Sequence, residues 1–169
     1  MRIPSFFGAV LLLCVFGHGV FAFDNDKVIR FYTVHDSPFE GGQSMRQAAD
    51  KSEIYVAHDA QFVVSSLEGT SIEGGGTSHL LNEKQEEIKS WKTPWSVGVF
   101  FKATDANQFQ TFMKANIGKR IAIVFAGRIL SVAVVQEWAY RDSLLISTGS
   151  LEETQQIKAL LDVLVPNNK

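Results

Sequence analysis

The sequence predicts an α+β fold: a mainly antiparallel sheet with two amphipathic helices on one face. Three observations predict it. The run Trp95–Phe101 (WSVGVFF) alternates Trp95, Val97, Val99 and Phe101 against Ser96, Gly98 and Phe100, the period-two pattern of a strand with one buried face. Two later segments carry apolar residues at helical spacing, Phe109, Phe112, Met113 and Ile117 in the first and Ile157, Leu160, Leu161 and Leu164 in the second. The order between and around them is β-α-β-β-β-α with short connections. Two helix stripes then need a surface to bury against, and one sheet with both helices on the same side supplies it most economically.

Before this region, Val28–Val34 (VIRFYTV) is rich in β-branched and aromatic residues and reads as a strand. A loop with Pro38, Gly41 and Gly42 spans Ser37–Ser44. Glu53–Ala57 (EIYVA) reads as a second strand, and Phe62–Val64 as a third apolar stretch leading into Leu67. Gly69 and the triple Gly74–Gly76 break the pattern. The charged stretch Leu80–Trp91 is expected as a helix that Pro94 closes, with Leu80, Leu81, Ile88 and Trp91 partly fitting a 3.6 period.

After Phe101, Thr104 or Asp105 is placed to cap the first amphipathic helix, and Gly118 to end it. Strands are expected at Arg120–Phe125 and Ile129–Gln136, joined by a tight loop at Ala126–Gly127–Arg128 where Gly supplies a positive φ. Leu144–Ser147 is a last strand. Ser150 and Glu153 form a capping box for the final helix, and Pro166 follows its end. The expected division is a leader at 1–22, a β-rich segment at 23–76, a linker or insertion at 77–94, and an α+β domain at 95–166.

The leader expectation rests on Arg2, an 11-residue apolar run from Phe6 to Phe16, and Val20 and Ala22 at the −3 and −1 positions of a cleavage site. That run falls short of the roughly 20 residues a spanning helix needs, so a Sec-type signal peptide cleaved after Ala22 is expected, with a periplasmic or secreted product. No membrane span is expected after cleavage. The single cysteine, Cys14, lies in the leader, so the mature chain would have no thiolate and no disulfide.

Composition bounds the rest. The 169 residues include 46% apolar types, with 16 Lys and Arg against 18 Asp and Glu. This suits one ordinary domain with a core of its own. The near-neutral balance gives no electrostatic footprint for nucleic acid, and none is expected as a partner. Charge is uneven along the chain: residues 23–79 hold nine acidic and four basic groups, and residues 80–169 nine and eleven. Such asymmetry can steer a partner.

No catalytic constellation emerges. There is no phosphate-binding G-x-x-x-x-G-K-[ST], no G-x-G-x-x-G, no H-E-x-x-H and no G-x-S-x-G. His35, His58 and His79, with Asp36 and Asp59, are the only metal-ligand candidates, and their expected role is that of surface or loop-end residues. Accordingly no catalytic residue, metal or cofactor is expected. Among the aromatics, Trp138 and Tyr140 flank Arg141 in a connection between strands. Trp and Tyr are enriched in interface hot spots, so Trp138, Tyr140 and Arg141 are the expected binding patch.

In the clear half of the chain stand Asn116-Ile117-Gly118-Lys119-Arg120, Gly127, Ser131, Gln136-Glu137 and Leu151-Glu152-Glu153. With these residues the clear half resembles the periplasmic head of the SecD preprotein translocase subunit. VIRFYTV and the segment EIYVAHDAQFVVSSLEGTSI fit the family more loosely. Ala133 stands where the family usually has Pro, the Gly of a later motif is displaced to Gly149, and residues 73–94 look like an insertion. The resemblance implies a ferredoxin-like-related α+β fold and a stand-alone exported head, without the membrane helices that carry proton coupling in SecD. It further implies a non-catalytic module that contacts translocating or unfolded polypeptide. An assembly domain for a specific envelope protein is the alternative expectation, and a His/Asp metal-dependent hydrolase a more distant one.

Overall fold

The computed structural model describes residues 27–47, 52–136 and 142–166. The expected leader and the Trp138–Tyr140–Arg141 patch lie outside these residues. Among the described residues, eleven strands and two α-helices follow one another in chain order. Strands β1 (Ile29–His35), β2 (Gly42–Arg46), β3 (Glu53–Ala57), β4 (Phe62–Val64) and β5 (Leu67–Glu73) precede the ribbon β6 (Thr77–Leu81) and β7 (Glu87–Lys92). Strand β8 (Trp95–Phe101) leads into helix α1 (Ala103–Ala115), and β9 (Arg120–Phe125), β10 (Arg128–Val134) and β11 (Ser143–Thr148) lead into α2 (Leu151–Leu161). A short 3-10 turn, Asp162–Leu164, follows α2.

The α+β class is the expected one, but the strands do not form one sheet. They sort into a six-stranded sheet of order β10-β9-β1-β3-β2 with β4 also on β1, a three-stranded sheet β11-β8-β5, and the separate ribbon β6-β7. All of the pairings are antiparallel. Period-two alternation marks a strand and its buried face but carries no information about its neighbour, so pairing across the triple glycine was not readable. Strand β1 pairs β9 over Ile29–Thr33 and exchanges its other partner along its length, β4 at Ile29–Phe31 and β3 at Val34–His35. The segments on either side of the triple glycine therefore share a sheet, with β1 at its centre.

Both faces of β1 and β9 are covered. Ile29, Phe31, Ile121, Ile123 and Phe125 enter the main core together with β8, α1 and α2. Tyr32, Val34, Ala122 and Val124 form a second cluster with Met45, Ile54 and Val56. Phe31 is the hub of the main core. Its ring lies 5.4–6.4 Å from those of Phe62, Phe101, Phe109 and Phe112, the separations at which tilted and edge-on aromatic pairs attract. Both helix stripes bury in this same core: Phe109, Phe112 and Met113 from α1, and Leu161 from α2 with Ile157 and Leu160 packed beside it.

Local expectations are partly corrected. The helix expected over Leu80–Trp91 is the β6-β7 ribbon. Asn82 Oδ1 accepts from the backbone N–H groups of Lys84 and Glu86, which turns the chain back on itself before a helix can start. Helix α1 begins at Ala103 with Lys102 at its N-cap and no side-chain cap, so neither Thr104 nor Asp105 serves. Ile117 lies beyond the end of α1 and is exposed rather than part of the stripe. Ser150 does cap α2 by accepting from Glu153 N–H at 3.2 Å, but Glu153 returns its carboxylate to Gly149 N–H, one residue before the expected partner. The β9-β10 hairpin turns on Ala126 and Gly127, both at positive φ, which is the two-residue geometry that matches strand twist.

Candidate functional site

The sequence Asn116-Ile117-Gly118-Lys119-Arg120 closes α1 and starts β9. Buried Asn116 donates through Nδ2 to Phe112 O at 2.8 Å, and its Oδ1 accepts from Thr33 Oγ1 at 3.4 Å and from Lys119 Nζ at 3.3 Å. Gly118 takes a φ of +77°, which a Cβ would strain. Gly118 N–H donates to Val135 O at 3.0 Å and Val135 N–H to Lys119 O at 2.9 Å, so the same turn holds the end of β10. Arg120 pairs with Asp36 beyond the end of β1. These residues are a structural latch, and what they position is the far end of β10.

There β10 and β11 stand at the ends of their respective sheets. Among the described residues neither pairs with a further strand. Between them opens a cleft of about 700 Å³. Its floor is the main core itself, reached through Phe31, Phe109, Met113, Ile121 and Ile123. One wall is Val134 and its neighbours on β10, the other Phe100, Leu144 and Leu145 on β8 and β11. Val134 is 49% exposed and Leu145 57%. The polar lining is sparse: Glu73, Gln136 and Ser143.

The arrangement suits an extended apolar segment. Unpaired strand edges offer backbone N–H and C=O groups, and the walls offer apolar contact without regard to sequence. Gln136 and Ser143 bracket the connection that carries Trp138, Tyr140 and Arg141, and both line the cleft. Phe100, Val134, Leu145 and Glu73 were not singled out from the sequence. A signal for Phe100 and Leu145 was present. Each is an apolar residue at the parity where a one-faced strand should be polar, as Phe100 is in WSVGVFF and Leu145 is in SLLIST.

The expected metal candidates do not converge. Among the described residues no three His, Cys, Asp or Glu side chains come together. His79 instead meets Glu87 on the ribbon at 2.6 Å. Hydrogen bonds from Ser90 and then His79 hold Glu87 below the usual carboxylate range.

A family model described as SecDF, P1 head subdomain, matches residues 71–163. The chain belongs to the SecDF P1 head family. The matched span runs through the β6-β7 ribbon and both walls of the cleft. It begins after β1, the strand on which the head's β9 is paired. Among solved structures, SecDF described as a membrane component that enhances protein export aligns over 80% of this chain and 62% of its own, with 16% identity and a TM-score of 0.48. SecDF in a super-membrane-facing form aligns over 80% of this chain and 18% of its own, with 18% identity and a TM-score of 0.48. The chain thus spans less than two thirds of either. No curated protein matches it. Among the described residues no helix is long and apolar enough to cross a membrane.

Proposed function

We propose that this chain is a non-catalytic polypeptide-binding module of protein export, which receives an extended apolar segment in the cleft between β10 and β11. The observation that carries the proposal is the cleft itself, whose core-lined floor and apolar walls lie between two strand edges unpaired among the described residues. Membership of the SecDF head family supports the export setting. On this reading the chain is exported, cleaved after Ala22, and acts in the periplasm or beyond the cell. Trp138, Tyr140 and Arg141, which the sequence sets between Gln136 and Ser143, are assigned on this reading to contact the same polypeptide.

The test is fluorescence anisotropy of a labelled, unfolded apolar peptide titrated with the purified protein. Binding is expected in the micromolar range, weakened about tenfold by Leu145→Glu, since covering a half-exposed leucine contributes about 1–1.5 kcal/mol. Absence of binding at high micromolar protein overturns the proposal. A second reading, assembly with one specific envelope protein, is favoured by the ribbon, where Ile88 is 62% and Trp91 48% exposed. Crosslinking in envelope extracts separates the two: one stoichiometric partner captured through the ribbon supports assembly, many weak clients captured through the cleft support polypeptide binding.

A further inference from the structure

The cleft holds one charged side chain among its described lining residues, Glu73, and the fold seats it with care. Glu73 and Ser71 project from the same face of β5 toward Gly98 on β8, with Ser71 paired opposite Gly98. Ser71 Oγ donates to Glu73 Oε1 at 2.8 Å. A Cβ on Gly98 would meet that same Oε1 at 2.6 Å as well as the Ser71 hydroxyl. The missing side chain at Gly98 is therefore the space in which the carboxylate lies against the sheet. Phe100 follows two residues along β8 on the same face, exposed at the cleft wall. Among the described residues no Lys or Arg pairs with Glu73.

Resting on the polypeptide-binding reading, we infer that Glu73 makes the cleft selective for segments in which a lysine or arginine stands beside apolar side chains. The apolar neighbours bury against Phe100, Leu145 and Val134. The cation reaches Glu73, and its alkyl stem lies along the same apolar wall, as long basic side chains do. Glu73 is exposed, so its attraction for a bound cation is modest and sensitive to salt. A neutral segment leaves that carboxylate unmatched, and an acidic one places like charges together.

Three labelled apolar peptides identical except for one central Lys, Gln or Glu are titrated against the purified protein by anisotropy. The Lys peptide is expected to bind about threefold to fivefold more tightly than the Gln peptide, the span of an exposed to partly covered ion pair. The Glu peptide is expected to bind most weakly, and raised salt to shrink the spread. Glu73→Gln brings the Lys-to-Gln ratio to about one, and Glu73→Lys inverts the order in favour of the Glu peptide. Gly98→Ala keeps the charge but fills its seat, and is expected to reduce the ratio as well. Equal binding of the Lys and Gln peptides, or a ratio that survives Glu73→Gln, overturns this inference and leaves the cleft as a polypeptide site. Failure of all three peptides to bind overturns both.

Discussion

Strands β9 and β7 are each six residues long, and their environments are opposite. In β9 (RIAIVF) five of the six residues are buried, because β1 and β10 flank it and a core lies on each face. In β7 (EIKSWK) all six are exposed, because β6 is its only described strand partner and nothing described covers either side. The contrast shows that a strand is held by what it packs against rather than by its own residues. An isolated two-stranded ribbon is marginal in water, so β6-β7 depends on its closing contacts. At the base, Thr93 exchanges backbone hydrogen bonds with Gly75 and Gly76. At the tip, Asn82 organises the turn.

One substitution made in both strands tests this directly. Ile123→Ala in β9 removes side-chain atoms from a packed core and is expected to cost about 2–5 kcal/mol, read as a lower urea midpoint with an unchanged slope. A cost below about 1 kcal/mol would mean that the sheet closes over the gap and that the two strands differ less than their burial implies.

An intermediate effect is expected at Asp162, which joins the end of α2 to β5. Partial desolvation works against its charge, but hydrogen bonds from Lys158 and Thr70 and the nearby Lys158 charge outweigh it and hold Asp162 below the ordinary carboxylate range. A lowered folded value means that the contribution is present above the unfolded carboxylate pKa, about 3.9, and is lost as pH falls through the folded value. Urea midpoints measured from pH 5 down to pH 2 should therefore decline less in Asp162→Asn than in the parent. Parallel declines would remove Asp162 from the account.

The smallest effect is expected from Ile88→Ala in β7, within about 0.5 kcal/mol of the parent in global stability, as for exposed sites generally. A loss above about 1 kcal/mol would mean that the ribbon's apolar residues are covered in solution. That result would favour the assembly reading.

The same contrast sets how much could be read from the sequence. Glu53–Ala57, Phe62–Val64, Trp95–Phe101 and Arg120–Phe125 were bounded correctly because packing on a core imposes apolar alternation or an apolar run. The expected loop Ser37–Ser44 takes in the first three residues of β2 (GQSMR), a strand from which only Gln43 and Met45 are buried, too little to set a period. Strand β5 was missed because a register shift between Leu67 and Gly69 breaks its period. The sequence over Leu80–Trp91 suggests a helix rather than the ribbon because solvent on both faces imposes no strand period at all. Of the candidate site, the off-parity apolar residues Phe100 and Leu145 were visible but unexplained. Glu73 was invisible, because its role depends on a glycine one strand away and 25 positions later, where no local pattern can reach it.

The pairing of β1 with β9 also governs how the molecule comes into being. Asp36 and Arg120, which meet where these strands align, are 84 residues apart in the chain. A polypeptide delivered from its amino end leaves β1 without that neighbour until most of its length has arrived. High sequence separation of this kind slows folding. In a complete chain the same long separation remains, and hydrogen-exchange labelling during refolding should find β1 protected only when β9 is.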